Sequence, residues 1–117
     1  MAILSNQHCV LCEGGTPPLS RDEAARFLDE TPRWSLDENA TAVSREFCFE
    51  DFYQTVAFVN AVAWIANQEG HHPDLEVSYN RCLVRYRTHA IGGLSENDFI
   101  CAAKVDTLLS DSRQVTG

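Results

Sequence analysis

The chain is 117 residues long, a length that favours a single domain with one hydrophobic core. Acidic residues outnumber basic ones by 17 to 9, and the resulting charge of −8 argues against direct nucleic-acid binding, because phosphate neutralisation requires a Lys/Arg surface. No apolar run approaches the roughly 18 residues of a membrane-spanning helix, and the N-terminus lacks the basic start of a secretory signal. We therefore expect a cytoplasmic protein that does not bind membranes.

The N-terminal segment 1–19 is predicted to be an irregular arm, since pairs of glycine and proline residues interrupt regular structure there. A single domain is expected over 20–112, followed by a C-terminal tail at 113–117. Ser20 and Glu23 have the spacing of a capping box, which predicts that a short helix begins at Arg21.

A hairpin and a long helix are predicted next. Apolar and polar residues alternate over 41–49, after a short strand at 34–36, and the turn between the two indicates a hairpin. The segment 52–68 has helical apolar spacing, with Gly70 as its C-cap. It contains no Lys or Arg, so we expect this helix to pack on a sheet on one side and on a further surface on the other.

The remaining segments predict two more strands, at 74–79 and 81–88, and a last helix over 96–109 that begins after Ser95. The order α-β-β-α-β-β-α contains no run of parallel βαβ units. It therefore predicts an α+β fold in which helices cover an antiparallel sheet.

The five cysteines are an odd number, which favours reduced thiols over a disulfide framework. His8-Cys9-x-x-Cys12 resembles half of a zinc site, but the chain offers no second half, so we expect no structural metal there. Core positions are predicted for three other cysteines and for both tryptophans: Cys48, Cys82, Cys101, Trp34 and Trp64.

The residues best suited to catalysis are three histidines and a nearby aspartate. His71 and His72 directly follow the long predicted helix, and His89 ends the last predicted strand. If the two strands between them form a hairpin, His89 returns close to His72, and Asp98 follows at the start of the last helix. Imidazoles exchange protons near neutral pH, so this set suits proton transfer to a leaving hydroxyl and from a nearby nitrogen, with the carboxylate orienting one ring.

Each of these features also has a simpler interpretation. The histidine pair could be a helix cap or a surface feature, and three histidines could instead bind zinc. Asp98 could act only on the dipole of its helix. A row of arginines on the last strand could bind an anionic group or form a solvated sheet face: Arg81, Arg85 and Arg87.

The spacing of these residues resembles the signature of pterin-4a-carbinolamine dehydratases. His71-His72-Pro73 is followed by Tyr79 after five residues, by His89 after nine more and by Asp98 after a further eight. Four other segments also resemble the family: Thr88 to Ser95, Cys12-Glu13-Gly14-Gly15, Pro17-Pro18-Leu19-Ser20 and Trp34. The resemblance extends over nearly the whole chain.

This resemblance implies a four-stranded antiparallel sheet with three helices packed on one face. It implies dehydration of a 4a-hydroxytetrahydropterin to the quinonoid dihydropterin, in recycling of the pterin used by aromatic amino acid hydroxylases. No metal and no organic cofactor is implied. A homodimer or homotetramer is implied, and this would account for the apolar surface of the long helix.

The resemblance also implies roles for individual residues. His71, His72, His89 and Asp98 correspond to the catalytic residues of the family. We expect His72 and His89 to share the acid/base work, while His71 positions the pterin.

Two further residues, Pro73 and Asn67, are placed with His71 among those that bind the pterin. Many members of the family carry an acidic residue where this chain has Asn67. An amide can hydrogen-bond the ring, but it cannot take a proton. The same fold also hosts non-enzymatic proteins, so the alternative function is a protein-binding module, either a Rubisco assembly factor or a transcriptional coactivator.

Overall fold

The computed structural model of the chain describes residues 3–10 and 16–109. Within these residues the structure contains three α-helices, four strands and two single turns of 3-10 helix. In chain order, with the turns at Leu4–Asn6 and His89–Ile91, they are α1 (Arg21–Leu28), β1 (Ser35–Leu36), β2 (Val43–Cys48), α2 (Phe52–Glu69), β3 (Asp74–Val77), β4 (Arg81–Tyr86) and α3 (Glu96–Thr107).

The four strands form one antiparallel sheet in the order β1-β2-β4-β3. The two predicted hairpins are therefore present, and β2 and β4 join them at the centre. One face of the sheet carries the buried side chains, and the other face is largely accessible. The buried face includes Val43, Phe47, Val84 and Tyr86, which pack toward Phe58 and Phe99 of the helices. The α+β fold expected from the sequence is confirmed.

Alternation along β2 explains why one core prediction is wrong. The sequence predicts Cys48 in the core, but its side chain is exposed, because it lies on the opposite face of the strand from Val43 and Phe47. Arg45 lies on the side of the strand that carries the core residues. Its charge is neutralised by Asp106 of α3, whose Oδ1 lies 2.6 Å from the Arg45 guanidinium.

The long helix α2 is held at both ends by its caps. Asp51 Oδ1 accepts a hydrogen bond from the backbone N–H of Gln54, and Gly70 ends the helix in the left-handed conformation at φ 64°. The prediction that Trp64 lies in the core is wrong, because its side chain is 65% exposed. It lies roughly 160° around the helix from the buried Val62, on the side that faces away from the sheet.

The described residues of the predicted arm, 3–10 and 16–19, are irregular apart from one helical turn, and they pack on the domain. Leu4 is buried, and Lys104 of α3 donates a hydrogen bond to the Ser5 carbonyl at 2.9 Å. The backbone N–H of Leu19 donates to the carbonyl of Leu94. Cys12 and the predicted tail at 113–117 lie outside the described residues.

Two further expectations about local structure are confirmed. The capping box between Ser20 and Glu23 begins α1, and Trp34 is buried, with its indole N–H donating to Asp106 at 2.9 Å. Among the described helices, none combines the length and the apolar character that a membrane crossing requires.

Candidate active site

A cavity of about 440 Å³ lies where α2 ends and β4 leads into its following turn. This volume is within the range of small-molecule sites. All three histidines singled out from the sequence line the cavity, together with Arg87, Cys9 and Asn97. The hairpin of β3 and β4 therefore brings His89 back to the histidine pair.

Asp98 lies behind His71 and fixes the orientation of its ring. The His71 Nε2 atom is 2.6 Å from Asp98 Oδ1, and the carboxylate is fully buried. Its second oxygen accepts hydrogen bonds from the Thr88 hydroxyl at 2.8 Å and from the Ser95 backbone N–H at 2.9 Å. A carboxylate at this distance accepts a hydrogen bond from Nε2–H, and in the neutral ring with this tautomer Nδ1 is the acceptor.

Tyr86 supports the other side of this ring. Its aromatic ring is stacked on His71, with centroids 5.8 Å apart and an interplanar angle of 7°. Burial raises the pKa of Tyr86, and the neighbouring thiols of Cys101 and Cys9 raise it further, so its hydroxyl stays protonated. Held between Asp98 and Tyr86, His71 cannot turn freely.

His72 and His89 are exposed at the cavity, and their imidazole rings form no hydrogen bond within the described part of the chain. His72 follows His71 immediately after the cap at Gly70. His89 begins the short helical turn His89–Ile91, which Gly92 closes at φ 68°. These two imidazoles are therefore open to a ligand, whereas His71 is fixed.

The two positions after this turn require glycine for different structural reasons. Gly92 adopts the left-handed conformation that favours glycine. At Gly93 a Cβ atom would come within 2.8 Å of the Pro18 side chain, so the close approach of the arm excludes a side chain there. Both features hold the turn that presents His89.

Two of the predicted pterin-binding residues are placed elsewhere. Asn67 is exposed on α2, and neither Asn67 nor Pro73 is among the residues that line the cavity. Their proposed contact with a pterin remains a prediction.

Sequence reasoning missed several residues at the site. The Thr88 hydroxyl donates to the carboxylate of Asp98, and the available signal was its position directly before His89, at the end of the predicted strand 81–88. Glu69 accepts hydrogen bonds from the Cys9 backbone N–H at 2.8 Å and from His8 at 3.0 Å. These partners are some 60 residues away along the chain, and no local pattern predicted the contact.

The described residues contain no group of three or more His, Cys, Asp or Glu side chains arranged to hold a metal ion. In the segment that resembles half a zinc site, His8 is instead bound to Glu69. Cys9 lies beside Cys101, with the two sulfur atoms 3.4 Å apart.

The fold and the site together define a small α+β domain with a histidine-lined cavity at one end of its sheet. The sequence profile of the family described as "Pterin 4 alpha carbinolamine dehydratase" matches residues 17–108. The chain belongs to this family, and its curated relatives carry the name of a dehydratase, which is a hydro-lyase.

Curated relatives support this membership over most of their length. A protein of Nitrosomonas eutropha that carries the family name is 59% identical over 107 residues, which cover 91% of this chain and 93% of the relative. A similarly named protein of Legionella pneumophila is 51% identical over 109 residues, covering 92% and 96% of the two chains.

The solved structures that are similar to this one include two with informative descriptions. The transcriptional coactivator/pterin dehydratase of Brucella melitensis has a TM-score of 0.74 and 30% identity, over 78% of this chain and 97% of that one. A pterin dehydratase-like protein described as a RuBisCO assembly factor in the alpha-carboxysome has a TM-score of 0.58 and 24% identity. The similarity covers 66% of this chain and 89% of that protein, and at this identity it supports only the fold.

Proposed function

We propose that this protein dehydrates a 4a-hydroxytetrahydropterin to the quinonoid dihydropterin, as part of pterin cofactor recycling. The observation that carries the proposal is the convergence of His71, His72 and His89 on one cavity, in a chain of the dehydratase family. The reaction needs no oxidation or reduction, only movement of protons and loss of water.

Two open imidazoles suit the two proton transfers. One of His72 and His89 donates a proton to the departing 4a-hydroxyl as the carbon–oxygen bond breaks and water leaves. The other removes the proton of a neighbouring ring nitrogen, whose electron pair forms the new carbon–nitrogen double bond. Imidazole serves both roles near neutral pH, and the two residues exchange roles in the reverse reaction.

The fixed imidazole suits a positioning role. His71 is held between the buried carboxylate of Asp98 and the ring of Tyr86, so its free nitrogen presents one acceptor in a defined direction. Arg87 also lines the cavity and forms no ion pair within the described residues. A cation without a carboxylate partner suits a ring rich in carbonyl and imine acceptors.

The direct test is a dehydratase assay of the purified protein. The loss of ultraviolet absorbance of a 4a-hydroxytetrahydropterin is followed with and without the protein, at equal pH and buffer concentration. We expect a rate well above spontaneous dehydration, proportional to protein concentration. A rate equal to the spontaneous one contradicts the proposal.

We further propose that the protein is a homodimer or homotetramer that associates through the outer side of α2. Three large side chains on this helix are exposed in the single chain: Phe52, Tyr53 and Trp64. The helix contains no charged side chain before Glu69, so its outer side has no charge to desolvate. Exposed aromatic residues on an uncharged surface are typical of protein interfaces.

The same surface favours one alternative, a protein-binding module that keeps the fold and uses α2 to bind a different protein. Pull-down from a native lysate with the wild-type protein and with His72→Ala tests this alternative. A defined partner retained by His72→Ala, together with absence of dehydratase activity, would favour the module. Absence of a partner together with activity would favour the enzyme.

A further inference from the structure

Two cysteine thiols meet where the N-terminal arm crosses α3. The sulfur atoms of Cys9 and Cys101 are 3.4 Å apart and unbonded. A further approach of about 1.4 Å would bring them to the bond length of a disulfide, about 2.0 Å. Cys9 and Cys101 are far apart in sequence, at a separation of 92 positions.

The backbone around Cys9 is fixed, so this contact does not depend on a freely moving arm. The Cys9 N–H donates to Glu69 at 2.8 Å, and the following Val10 exchanges two hydrogen bonds with the Asn97 side chain, at 3.0 and 2.6 Å. The Cys9 thiol donates to the Asn97 carbonyl at 3.7 Å. The sulfur atoms are thus held together by contacts on both sides of the pair.

The two thiols differ in access. Cys9 is partly exposed and lines the cavity, whereas Cys101 is fully buried. Its hydrogen bond with Cys9 and its burial raise the pKa of Cys101, so this thiol remains protonated. Cys9 is consequently the thiol that an oxidant from solution reaches first.

We propose that Cys9 and Cys101 are a redox-active thiol pair that a peroxide converts to a disulfide, fastening the N-terminal arm to α3. Cys9 loses its proton to solvent and attacks one oxygen of the peroxide; the oxygen–oxygen bond breaks, hydroxide leaves and takes up a proton to give the first water, and Cys9 becomes a sulfenic acid. The Cys101 sulfur then attacks the Cys9 sulfur while its thiol proton passes to the departing hydroxyl, so that the sulfur–oxygen bond breaks and the second water leaves. Two thiols are oxidised and one peroxide is reduced to two waters, and a dithiol reductant reverses the step.

The pair lies next to the residues that hold the candidate site. The two thiols are close enough to Tyr86 to raise the pKa of its hydroxyl, and the ring of Tyr86 is stacked on His71. Cys9 itself is part of the cavity wall. The disulfide would therefore close one wall of the cavity covalently, and it does not depend on which molecule the cavity binds.

The experiment is peptide mapping after oxidation. Full-length protein is treated with hydrogen peroxide at one to a few equivalents, free thiols are blocked, and tryptic peptides are compared with and without dithiothreitol. The expected product joins peptide 1–21, which contains Cys9 and Cys12, to peptide 88–104, which contains Cys101. Because both Cys9 and Cys12 lie in the first peptide, Cys12→Ser is required to assign the bond to Cys9.

We expect the cross-linked peptide in the wild type, in Cys12→Ser and in the surface control Cys48→Ser, and its loss in Cys9→Ser. Closing so long a loop should also raise Tm by on the order of 5–10 °C in the oxidised protein, reversibly with dithiothreitol. A bond between Cys9 and Cys12, a cross-link that survives in Cys9→Ser, or thiols of Cys9 and Cys101 that stay free would each overturn the proposal. Cys9→Ser changes a partly exposed residue, so the test does not rely on altering the buried Cys101.

Discussion

At the scale of single residues, Asp98 is the centre of the site although it does not line the cavity. Its two oxygens bind His71, Thr88 and Ser95, and these residues belong to three different segments of the chain. A carboxylate that is fully buried and bonded at both oxygens fixes one histidine tautomer. The sequence indicated that Asp98 could orient a ring, but neither Thr88 nor the stacking of Tyr86 could be predicted from it, because both depend on the register of the sheet.

The variant Asp98→Asn tests this arrangement. The substitution keeps the size of the side chain but presents an amide, which no longer stabilises the Nε2–H tautomer of His71. We expect dehydratase kcat/KM to fall about 10- to 100-fold, by analogy with other histidines that lose an orienting carboxylate. Steady-state kinetics measure this, with circular dichroism to verify folding.

The matched control is Asp29→Asn, which changes an exposed aspartate that does not line the cavity. It should keep kcat/KM within about twofold of the wild type. Equal kcat/KM values for Asp98→Asn and the wild type would contradict the orienting role of Asp98, whatever the activity of the control.

At the scale of elements, local signals were sufficient for most of the fold. The capping box of α1, the left-handed Gly70 after α2 and the alternation along β4 are all properties of a few neighbouring residues, and the structure has each of them. The outward position of Trp64 was not predicted, because apolar residues surround most of α2 and the pattern does not indicate which side meets the sheet. The packing of the arm on α3 depends on contacts that are distant in sequence.

Glu69, at the end of α2, connects that helix to the arm. Its side chain is 6% exposed. Burial opposes the ionised form, but the Cys9 N–H, His8 and Lys104 together lower the pKa of Glu69. A carboxylate whose pKa is lower in the folded than in the unfolded protein stabilises the folded state at pH values above its unfolded pKa. This stabilisation is lost as the pH falls through the folded pKa.

Glu69→Gln should therefore lower the free energy of unfolding at pH 7 by about 1–2 kcal/mol, since it removes the charge from several hydrogen bonds. The difference from the wild type should shrink as pH falls below about 4.3, the ordinary pKa of glutamate. Urea unfolding at pH 7 and at pH 3.5 measures both values. Exposed Glu30→Gln serves as the control. A deficit that is as large at pH 3.5 as at pH 7 would show that the charge of Glu69 is not the cause.

At the scale of the whole molecule, the outer side of α2 is an apolar surface that the described residues leave uncovered. Trp64 is 65% exposed and Tyr53 is 83% exposed on a helix that has no charged residue before Glu69. Sequence alone predicted an additional packing surface for this helix, which agrees with the exposed aromatic side chains. Which protein covers this surface depends on a second chain and remains a proposal.

Trp64→Glu tests the proposed self-association, because it places a charge on the exposed side of α2 that forms the proposed interface. We expect the wild type to be a dimer or tetramer and the variant to be smaller, with an unchanged circular dichroism spectrum. Light scattering coupled to size-exclusion chromatography gives the masses. Glu76→Gln on β3, which changes an exposed residue of the sheet, should leave the mass as in the wild type. A monomeric wild type, or a Trp64→Glu variant of unchanged mass, would contradict association through α2.

The proposed dehydration depends above all on the two open histidines of the cavity. The most direct measurement is the dehydratase rate of the His72→Ala/His89→Ala double variant against the wild type and against His8→Ala, which removes the histidine of the arm. We predict that the double variant falls to the spontaneous rate, or within about tenfold of it, while His8→Ala stays within about twofold of the wild type. A double variant that dehydrates the pterin as fast as the wild type would contradict the assignment of His72 and His89 as the acid and base.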